Sequence, residues 1–299
     1  MTELAFERDF DVPYGVPEQV SALVRRIVCR NPGPYTFTGT VSYIVGRGEV
    51  AIIDPGPDDE AHLGALIAAV GCETVSHILV THSHRDHSSL APRLKAVTGA
   101  TVHAHGRDPG LAAPGAHTLD AAFDLAFRPD RALRHGDVIA GKTWSLEAVH
   151  TPGHTSDHLA LALAQEKALF SGDHVMAWST SVVAPPDGNM ADYLASLRLL
   201  LGRDDEVYWP GHGPPSRSPK RFVRALLAHR QMREASIFER IRQGDRTVTD
   251  IVRAVYADVD PRLHGAAALS ALAHVEHLIS QGKVASDGAA SLTARLRVA

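Results

Sequence analysis

Residues Thr81–His87 have the sequence THSHRDH, which places three histidines and one aspartate directly after the apolar run HILV. Side chains of an extended segment alternate between two faces, so His82, His84 and Asp86 share one side and His87 lies at the following turn. Imidazole nitrogen and carboxylate oxygen are ligands that divalent metals such as zinc accept. One catalytic ion with an open coordination position needs fewer groups, so this stretch predicts two neighbouring ions.

Three further candidate ligands follow apolar segments, each directly after a glycine. His154 lies in TPGHTSDH, Asp173 in SGDH and His212 in PGHG. Glycine permits the backbone conformations that aim a side chain away from the end of a strand. We therefore expect seven ligands in two sets that share one member. The expected assignment is His82, His84 and His154 to one ion, Asp86, His87 and His212 to the other, and Asp173 as the bridge.

Two divalent ions about 3.5–4 Å apart hold a hydroxide at neutral pH and polarise the bond that it attacks. The ligand set therefore predicts a hydrolase of esters, thioesters, amides or phosphoryl esters, with two divalent ions, preferably Zn²⁺, as cofactors. Asp86 is the candidate catalytic residue. Besides ligating, it is placed to orient the hydroxide or to pass a proton to the leaving group.

The motifs THSHRDH, TPGHTSDH, SGDH and PGHG, preceded by IIDPG at residues 52–56, resemble those of the metallo-β-lactamase fold superfamily. The resemblance covers most of residues 35–215 and keeps the order of the family's motifs. It implies an α/β fold, the αββα sandwich, with a dinuclear site, and all seven expected ligands match motif positions. Asp54 resembles the aspartate that orients the family's ligand loop by hydrogen bonding. Directly after THSHRDH, this chain has SSLAP at 88–92 where many members have a glycine-rich sequence, and this difference affects the expected shape of the substrate pocket.

Other residues near the ligands are weaker candidates. Trp178, Ser179 and Tyr208 are candidates for the substrate mouth, although packing in the core or at its rim explains each of them equally well. Three more histidines flank ligand positions, and we expect them to support ligands or to pack, because the coordination is already filled. These are His150, His158 and His174.

The hydrophobic pattern supplies the elements that must position these residues. VSYIVG and EVAIIDPG predict a hairpin, HILVTH and TVHAH predict buried strands, and TWSLEAVHTPG, LALALA, KALFSGD and DEVYWPG predict a later series of strands. DDEAHLGALIAAVG, HSSLAPRLKAVTG and MADYLASLRLLLG predict helices. Residues 106–135 lack periodicity and are expected to form a loop excursion. Two sheets between helices fit this order better than a doubly wound sheet.

The pattern changes at GPPSRSP, residues 213–219, which predicts a boundary between a hydrolase domain at 1–218 and a second domain at 219–299. Three predicted helices, the second with Thr247 at its N-cap, precede a hairpin around DG, which is the order of a winged helix. This layout resembles the C-terminal extension of the lactamase-beta-2-like branch. That branch implies either a thioesterase-like hydrolase or a metal-dependent endoribonuclease that cuts single-stranded RNA.

Charge is uneven along the chain. Residues 219–299 hold 13 Lys and Arg against 8 Asp and Glu, and residues 1–218 hold 17 against 26, so the two parts carry +5 and −9. Arginines of the first C-terminal helix are candidates to track an RNA backbone. They are Arg224, Arg230, Arg233, Arg240 and Arg242. The alternative is a solvated helix whose apolar stripe packs on the first domain. The stripe comprises Phe222, Leu226, Ile237 and Ile241.

Several classes are disfavoured. No run of about 18 apolar residues predicts a transmembrane helix, and the N-terminal sequence lacks the features of a signal peptide. Cys29 and Cys72 are the only cysteines, so we expect a reduced, cytoplasmic setting and two small buried side chains. The expected partner is a small acyl molecule or single-stranded RNA, and we expect no binding to a membrane. A non-catalytic nucleic-acid-binding protein is the remaining hypothesis.

Overall fold

The computed structural model describes residues 4–107, 123–257 and 264–299. Of the predicted excursion at 106–135, residues 108–122 lie outside the described ranges. The strands within those ranges are β1 (Glu18–Gln19), β2 (Val24–Val28), β3 (Val41–Arg47), β4 (Glu49–Ile53), β5 (Thr74–Leu79), β6 (Thr101–Ala104), β7 (Arg131–Ala132), β8 (Val138–Ala140), β9 (Ser145–His150), β10 (Leu159–Leu163), β11 (Ala168–Gly172), β12 (Val207–Pro210), β13 (Val284–Ser286) and β14 (Leu296–Val298). The helices are α1 (Glu60–Val70), α2 (Arg85–Ser88), α3 (Ala91–Thr98), α4 (Met190–Leu201), α5 (Pro219–Gln243), α6 (Val248–Val255) and α7 (His264–Ser280).

Two mixed sheets face each other. The first runs in the order β1 to β7, antiparallel as far as β4 and parallel from β4 onward. The second has the order β12-β11-β10-β9-β8 and is antiparallel except between β11 and β12. Helices cover both outer faces. The predicted αββα sandwich is confirmed, including the β3–β4 hairpin and the later series of strands.

Strands that are buried on both faces account for the continuous apolar runs of the sequence. In β3, Tyr43 and Val45 face the space between the sheets, whereas Ile44 packs with α1 and α3 on the outer face. This division follows from the alternation of side chains along a strand. Leu197 of α4 and Leu226 of α5 cover the outer face of the second sheet in the same way. The apolar layers therefore leave one edge of the sandwich for polar groups.

The helix ends follow local sequence signals. Asp59, Asn189 and Thr247 cap α1, α4 and α6, and each side chain accepts a backbone N–H of the first turn. The predicted N-cap at Thr247 is therefore confirmed. Gly244 ends α5 with φ of 110°, a conformation that favours glycine. The single helix predicted for HSSLAPRLKAVTG forms instead as two helices, α2 and α3.

Helix α5 joins two hydrophobic cores. It begins at the predicted boundary, but Phe222 and Leu226 pack with α4 on the second sheet. Ile237 and Ile241 pack instead with α6, α7 and the β13–β14 hairpin, which complete the winged helix. The prediction that the whole stripe packs on the first domain is wrong for these two isoleucines. A helix of 25 residues is about 37 Å long and extends beyond the first domain.

The two cysteines differ in exposure. Cys29 is buried, as expected, whereas Cys72 is exposed. The prediction of a buried side chain is wrong for Cys72, because it lies in the solvent-facing turn between α1 and β5. Among the described residues, no helix combines the length and the apolar character needed to cross a bilayer.

The packing of α5 predicts a specific loss of stability. Leu226 is fully buried, so Leu226→Ala should lower the free energy of unfolding by about 2–5 kcal/mol in urea denaturation. Leu199→Ala on α4, where the side chain is 41% exposed, is the matched control and should change it by less than about 0.5 kcal/mol. Equal losses in the two variants would contradict this packing.

His103 predicts a pH dependence. It is 6% exposed between the sheets, and neither ring nitrogen has a hydrogen-bond partner in the described structure. Burial, His77 and Arg131 lower the pKa of its imidazole from 6.5 to about 4, against the opposing effect of Asp130. The unfolded chain binds this proton at a higher pH than the folded chain. The contribution of His103 to stability is therefore complete above about pH 6.5 and is lost as the pH falls towards 4.

We expect His103→Leu to reduce the fall in the urea midpoint between about pH 7.5 and pH 5. A chelator in both samples keeps metal binding out of the comparison. A midpoint that falls equally in the variant and the wild type would show that His103 does not carry this dependence.

Candidate metal centre

The seven predicted ligands meet at one edge of the sandwich, where strands of both sheets end. Each comes from a loop or from the short helix that follows a strand, so the sheets fix the backbone from which these side chains extend. In chain order they are His82 and His84 after β5, Asp86 and His87 in α2, His154 after β9, Asp173 directly after β11, and His212 after β12.

The first set consists of His82, His84, His154 and Asp173, whose candidate ligand atoms all lie within 4.8 Å of one another. His84 Nδ1 lies 2.9 Å from His82 Nε2 and 3.2 Å from His154 Nε2. Burial, followed by the neighbouring His154, lowers the pKa of His84 to about 3. The imidazole of His84 is therefore neutral, and one ring nitrogen, which the geometry indicates is Nδ1, has a lone pair available to a cation.

The second set consists of Asp86, His87 and His212, which satisfy the same distance limit of 4.8 Å. His212 Nε2 lies 3.2 Å from His87 Nε2 and 3.2 Å from Asp86 Oδ2. His212 Nδ1 lies 3.2 Å from the carbonyl oxygen of Gly39. An N–H donated to that oxygen leaves Nε2 as the atom that faces the other ligands.

Asp173 lies between the two sets. Its Oδ2 is 3.8 Å from His154 Nε2 and 3.5 Å from His212 Nε2, and its Oδ1 is 3.6 Å from His87 Nε2. Oδ1 is buried and accepts no hydrogen bond from the residues that the structure describes. A Cβ atom at Gly211 would lie 2.6 Å from this oxygen. Glycine at 211 therefore keeps open the space beside a carboxylate that suits a bridging role.

Both carboxylate oxygens of Asp54 contact the segment THSHRDH, residues 81–87. Its Oδ1 accepts the backbone N–H of Thr81 at 2.7 Å, and its Oδ2 accepts the Thr81 hydroxyl at 2.8 Å. Oδ2 also lies 2.9 Å from His87 Nδ1, so His87 Nε2 faces the second set. The φ of Asp54 is 49°, a left-handed conformation that aspartate adopts more readily than most residues.

The flanking histidines have different roles. His158 Nε2 accepts the backbone N–H of Asp173 at 3.2 Å, which fixes the chain at the candidate bridging residue. His174 packs beside Tyr193, with ring centroids 4.6 Å apart. His150 has its Nε2 3.0 Å from a backbone carbonyl oxygen. These positions agree with the expectation that the three support ligands or pack.

One support was not predicted. Asp157 is buried, and its Oδ2 accepts the backbone N–H of Ser83 at 3.1 Å, between the first two histidines of the motif. The sequence signal was its place in TPGHTSDH, two residues from the nearest apolar strand. A carboxylate so close to a buried strand requires donors, and the first motif supplies one.

The electrostatics of the second set favour positive charge. Burial opposes protonation of its histidines, yet Asp173 and Asp86 raise the pKa of His212 to about 9. The same two carboxylates raise the pKa of His87 well above its usual value. Protons on these imidazoles or bound cations neutralise the buried carboxylates. A cation must displace the protons, so its binding should strengthen as the pH rises.

The residues present therefore fit two divalent cations. Nitrogen and carboxylate oxygen are the donors that zinc and similar ions accept. Each set offers at least three donors, and one carboxylate with a buried oxygen lies between them.

The three candidates for the substrate mouth differ in their exposure to solvent. Trp178 is half-buried and stacks on Phe37 with ring centroids 4.8 Å apart, and a Cβ at Gly213 would come within 2.6 Å of its ring. Trp178 thus lies beside the loop of His212, and Ser179 is half-buried next to it. Both stay predictions. The prediction for Tyr208 is wrong, because its ring is 1% exposed and packs under α4.

Most arginines proposed to track RNA make contacts within the chain. Arg230 is buried, which excludes it from such a role. Arg233 donates to a backbone carbonyl at 2.6 Å, and Arg240 and Arg242 form ion pairs with acidic side chains. Arg224 is exposed. The surface of α5 therefore does not present the row of free cations on which the RNA hypothesis depended.

A family model described as the metallo-beta-lactamase superfamily matches residues 35–212, the range that contains all seven candidate ligands. The chain belongs to this superfamily. A second model, the beta-lactamase associated winged helix domain, matches residues 247–291 and confirms the predicted C-terminal winged helix.

Relatives extend over both parts of the chain. A beta-lactamase-like protein 2 homolog of Caenorhabditis elegans is 30% identical over 250 residues, covering 81% of this chain and 79% of the relative. An atrochrysone carboxyl ACP thioesterase of Claviceps purpurea is 28% identical over 250 residues, covering 81% and 74%. The crystal structure of a beta-lactamase domain protein from Burkholderia ambifaria matches with a TM-score of 0.80 at 23% identity, covering 98% and 97%, and shows the shared fold.

The chain is therefore a hydrolase of the metallo-beta-lactamase superfamily, as its ligand motifs predicted. The alternative of a non-catalytic nucleic-acid-binding protein is left without support.

The contacts of Asp54 predict an effect on metal affinity. Loss of a group that orients a ligand typically costs about 10- to 100-fold in affinity, so Asp54→Ala should weaken Zn²⁺ binding by that factor in competition with a chromophoric chelator. Asp58→Ala is the control, because Asp58 is exposed and pairs with Arg93. Wild-type affinity in Asp54→Ala would exclude the orienting role.

Proposed function

We propose that this chain hydrolyses an acyl thioester at a centre of two divalent cations. The observation that carries the proposal is the pair of ligand sets that share one edge of the sandwich, with Asp173 between them. Two bound cations would supply a water of lowered pKa and would polarise the substrate carbonyl.

The residues of the chain would hold these cations in the two sets already described. His82, His84 and His154 would hold one cation, Asp86, His87 and His212 the other, and Asp173 would contact both. Zn²⁺ is the ion we expect from these donors.

Asp86 is the carboxylate of the centre best placed to contact substrate or water. Its side chain is 26% exposed, against 9% for Asp173. We assign to Asp86 the orientation of the attacking water, from which its carboxylate would accept a hydrogen bond. Trp178, stacked on Phe37 beside the loop of His212, would contact the acyl group.

The charge state of the centre favours a thioester over an ester or an amide. Although burial opposes it, imidazoles hold the pKa of Asp86 and of Asp173 below the usual range, so neither carboxyl is ready to donate a proton. An amine or an alkoxide must gain a proton as it departs. A thiol with a pKa of about 8.5 departs readily as the thiolate. The thioesterase name of the Claviceps purpurea relative supports the same substrate class.

The proposal predicts both metal content and activity. Metal analysis of purified protein should find close to two divalent ions per chain. With Zn²⁺ or Mn²⁺, a panel of acyl-coenzyme A thioesters should release free thiol, detected with a thiol reagent. Asp173→Asn and His84→Ala should lower this rate by more than about 100-fold, because even an outer partner of a ligand is worth about 10- to 100-fold. Asp192→Asn on the exposed side of α4 is the control and should retain activity.

Two results would contradict the proposal. One is a protein that binds no divalent ion. The other is cleavage of a labelled single-stranded RNA by a metal-loaded sample that turns over no thioester, which would favour the endoribonuclease alternative.

A further inference from the structure

The segment Ser181–Val182 connects two of the candidate ligands. The Ser181 hydroxyl lies 2.5 Å from the carbonyl oxygen of Asp173 and 2.8 Å from that of His174. The Val182 carbonyl oxygen lies 2.6 Å from His154 Nδ1. An N–H donated there leaves His154 Nε2 as the nitrogen that faces the first set. A shift of this segment would therefore move both the bridging carboxylate and one imidazole.

A buried arginine from the C-terminal part of the chain holds this segment. Arg230 of α5 is 3% exposed, and its guanidinium donates to the carbonyl oxygen of Ser181. The same guanidinium lies over the ring of Tyr193, 5.1 Å from its centroid. The Tyr193 hydroxyl donates to the carbonyl oxygen of His174 at 3.1 Å. Arg230 and its aromatic neighbour thus contact the same loop from α5 and α4.

Simple packing does not account for the charge at this position. Within the described ranges, no carboxylate lies within ion-pair distance of Arg230, and its Nε has no partner. Burial of an unpaired charge opposes folding, and an apolar side chain of similar length would fill the space at lower cost. The guanidinium differs from such a side chain in two respects. It donates to a main-chain carbonyl, and it lies over the face of an aromatic ring.

We infer that Arg230 is a positioning residue for the metal centre. Through Ser181 it fixes the segment that orients Asp173 and His154, so the C-terminal part of the chain sets the geometry of two ligands. This inference rests on the proposed function, because it takes those two residues as metal ligands.

Arg233 provides a matched control on the same helix. It also donates to a main-chain carbonyl, that of Val255 at 2.6 Å, and it also lies over a tyrosine, 4.4 Å from the centroid of Tyr256. Its contacts lie in the winged helix. Arg233→Met and Arg230→Met therefore remove the same types of contact, but only the second removes one that leads to the centre.

The test compares metal affinity and geometry in the full-length chain. Zn²⁺ affinity is measured by competition with a chelator, and the visible absorption of the Co²⁺-loaded protein reports ligand geometry. We expect Arg230→Met to weaken Zn²⁺ binding by about 10- to 100-fold and to change the Co²⁺ spectrum. Arg233→Met should match the wild type in both. Arg230→Lys keeps the charge but not the planar guanidinium, so it should also weaken Zn²⁺ binding measurably, though less than Arg230→Met, and it replaces that variant if Arg230→Met does not fold.

The outcomes separate this inference from the function on which it rests. If the wild type binds metal and both variants of Arg230 keep its affinity and its Co²⁺ spectrum, the inference is overturned and the proposed function stands. If the wild type binds no divalent ion, the proposed function fails and the inference fails with it. Equal effects of Arg230→Met and Arg233→Met would reduce Arg230 to a stabilising residue of α5 and overturn the positioning role.

Discussion

The hydrogen bonds of the Asp54 carboxylate are the interactions on which the orientation of the candidate ligands depends. Asp54 is 2% exposed and joins the end of β4 to Thr81 after β5 and to His87 in α2. These bonds fix the segment from Thr81 to His87, which follows β5, includes the start of α2 and carries four of the seven candidate ligands. The apolar layers bring β4 and β5 together, but apolar contacts are non-directional. The directional bonds to Asp54 set the orientation of the motif.

Because the centre is buried, the charges of its carboxylates and imidazoles must be balanced by neighbouring groups. Asp173 and His212 are both buried, so water solvates them poorly and the protein must balance their charges locally. The carboxylates of Asp173 and Asp86 outweigh burial and raise the pKa of His212, whereas burial and the neighbouring His154 lower the pKa of His84. Divalent cations would satisfy both sets together, because they would replace the protons of one set and accept lone pairs from the other.

The sequence predicted the part of the site that is local. Four candidate ligands follow one apolar run directly, and the other three each follow an apolar run and a glycine, so their spacing placed them at strand ends. The order of the runs predicted the sandwich. Contacts between distant segments were not accessible. Nothing near Tyr208 indicates that its strand packs under α4, and nothing near Arg230 indicates that α5 passes beside Ser181. Strand β2 was missed because its sequence, VRRIV, places two arginines in a short apolar run.

The continuity of α5 changes how the C-terminal part of the chain is understood. A domain joined by a flexible linker moves independently and leaves the geometry of a distant centre unchanged. Here one uninterrupted helix contributes Leu226 to the core under α4 and Ile237 to the core of the winged helix. Between these two positions lies Arg230, which contacts the loop of Asp173 through Ser181. The same helix that packs in both cores therefore also contacts the segment next to two candidate ligands, which is the structural basis for the positioning role inferred for Arg230.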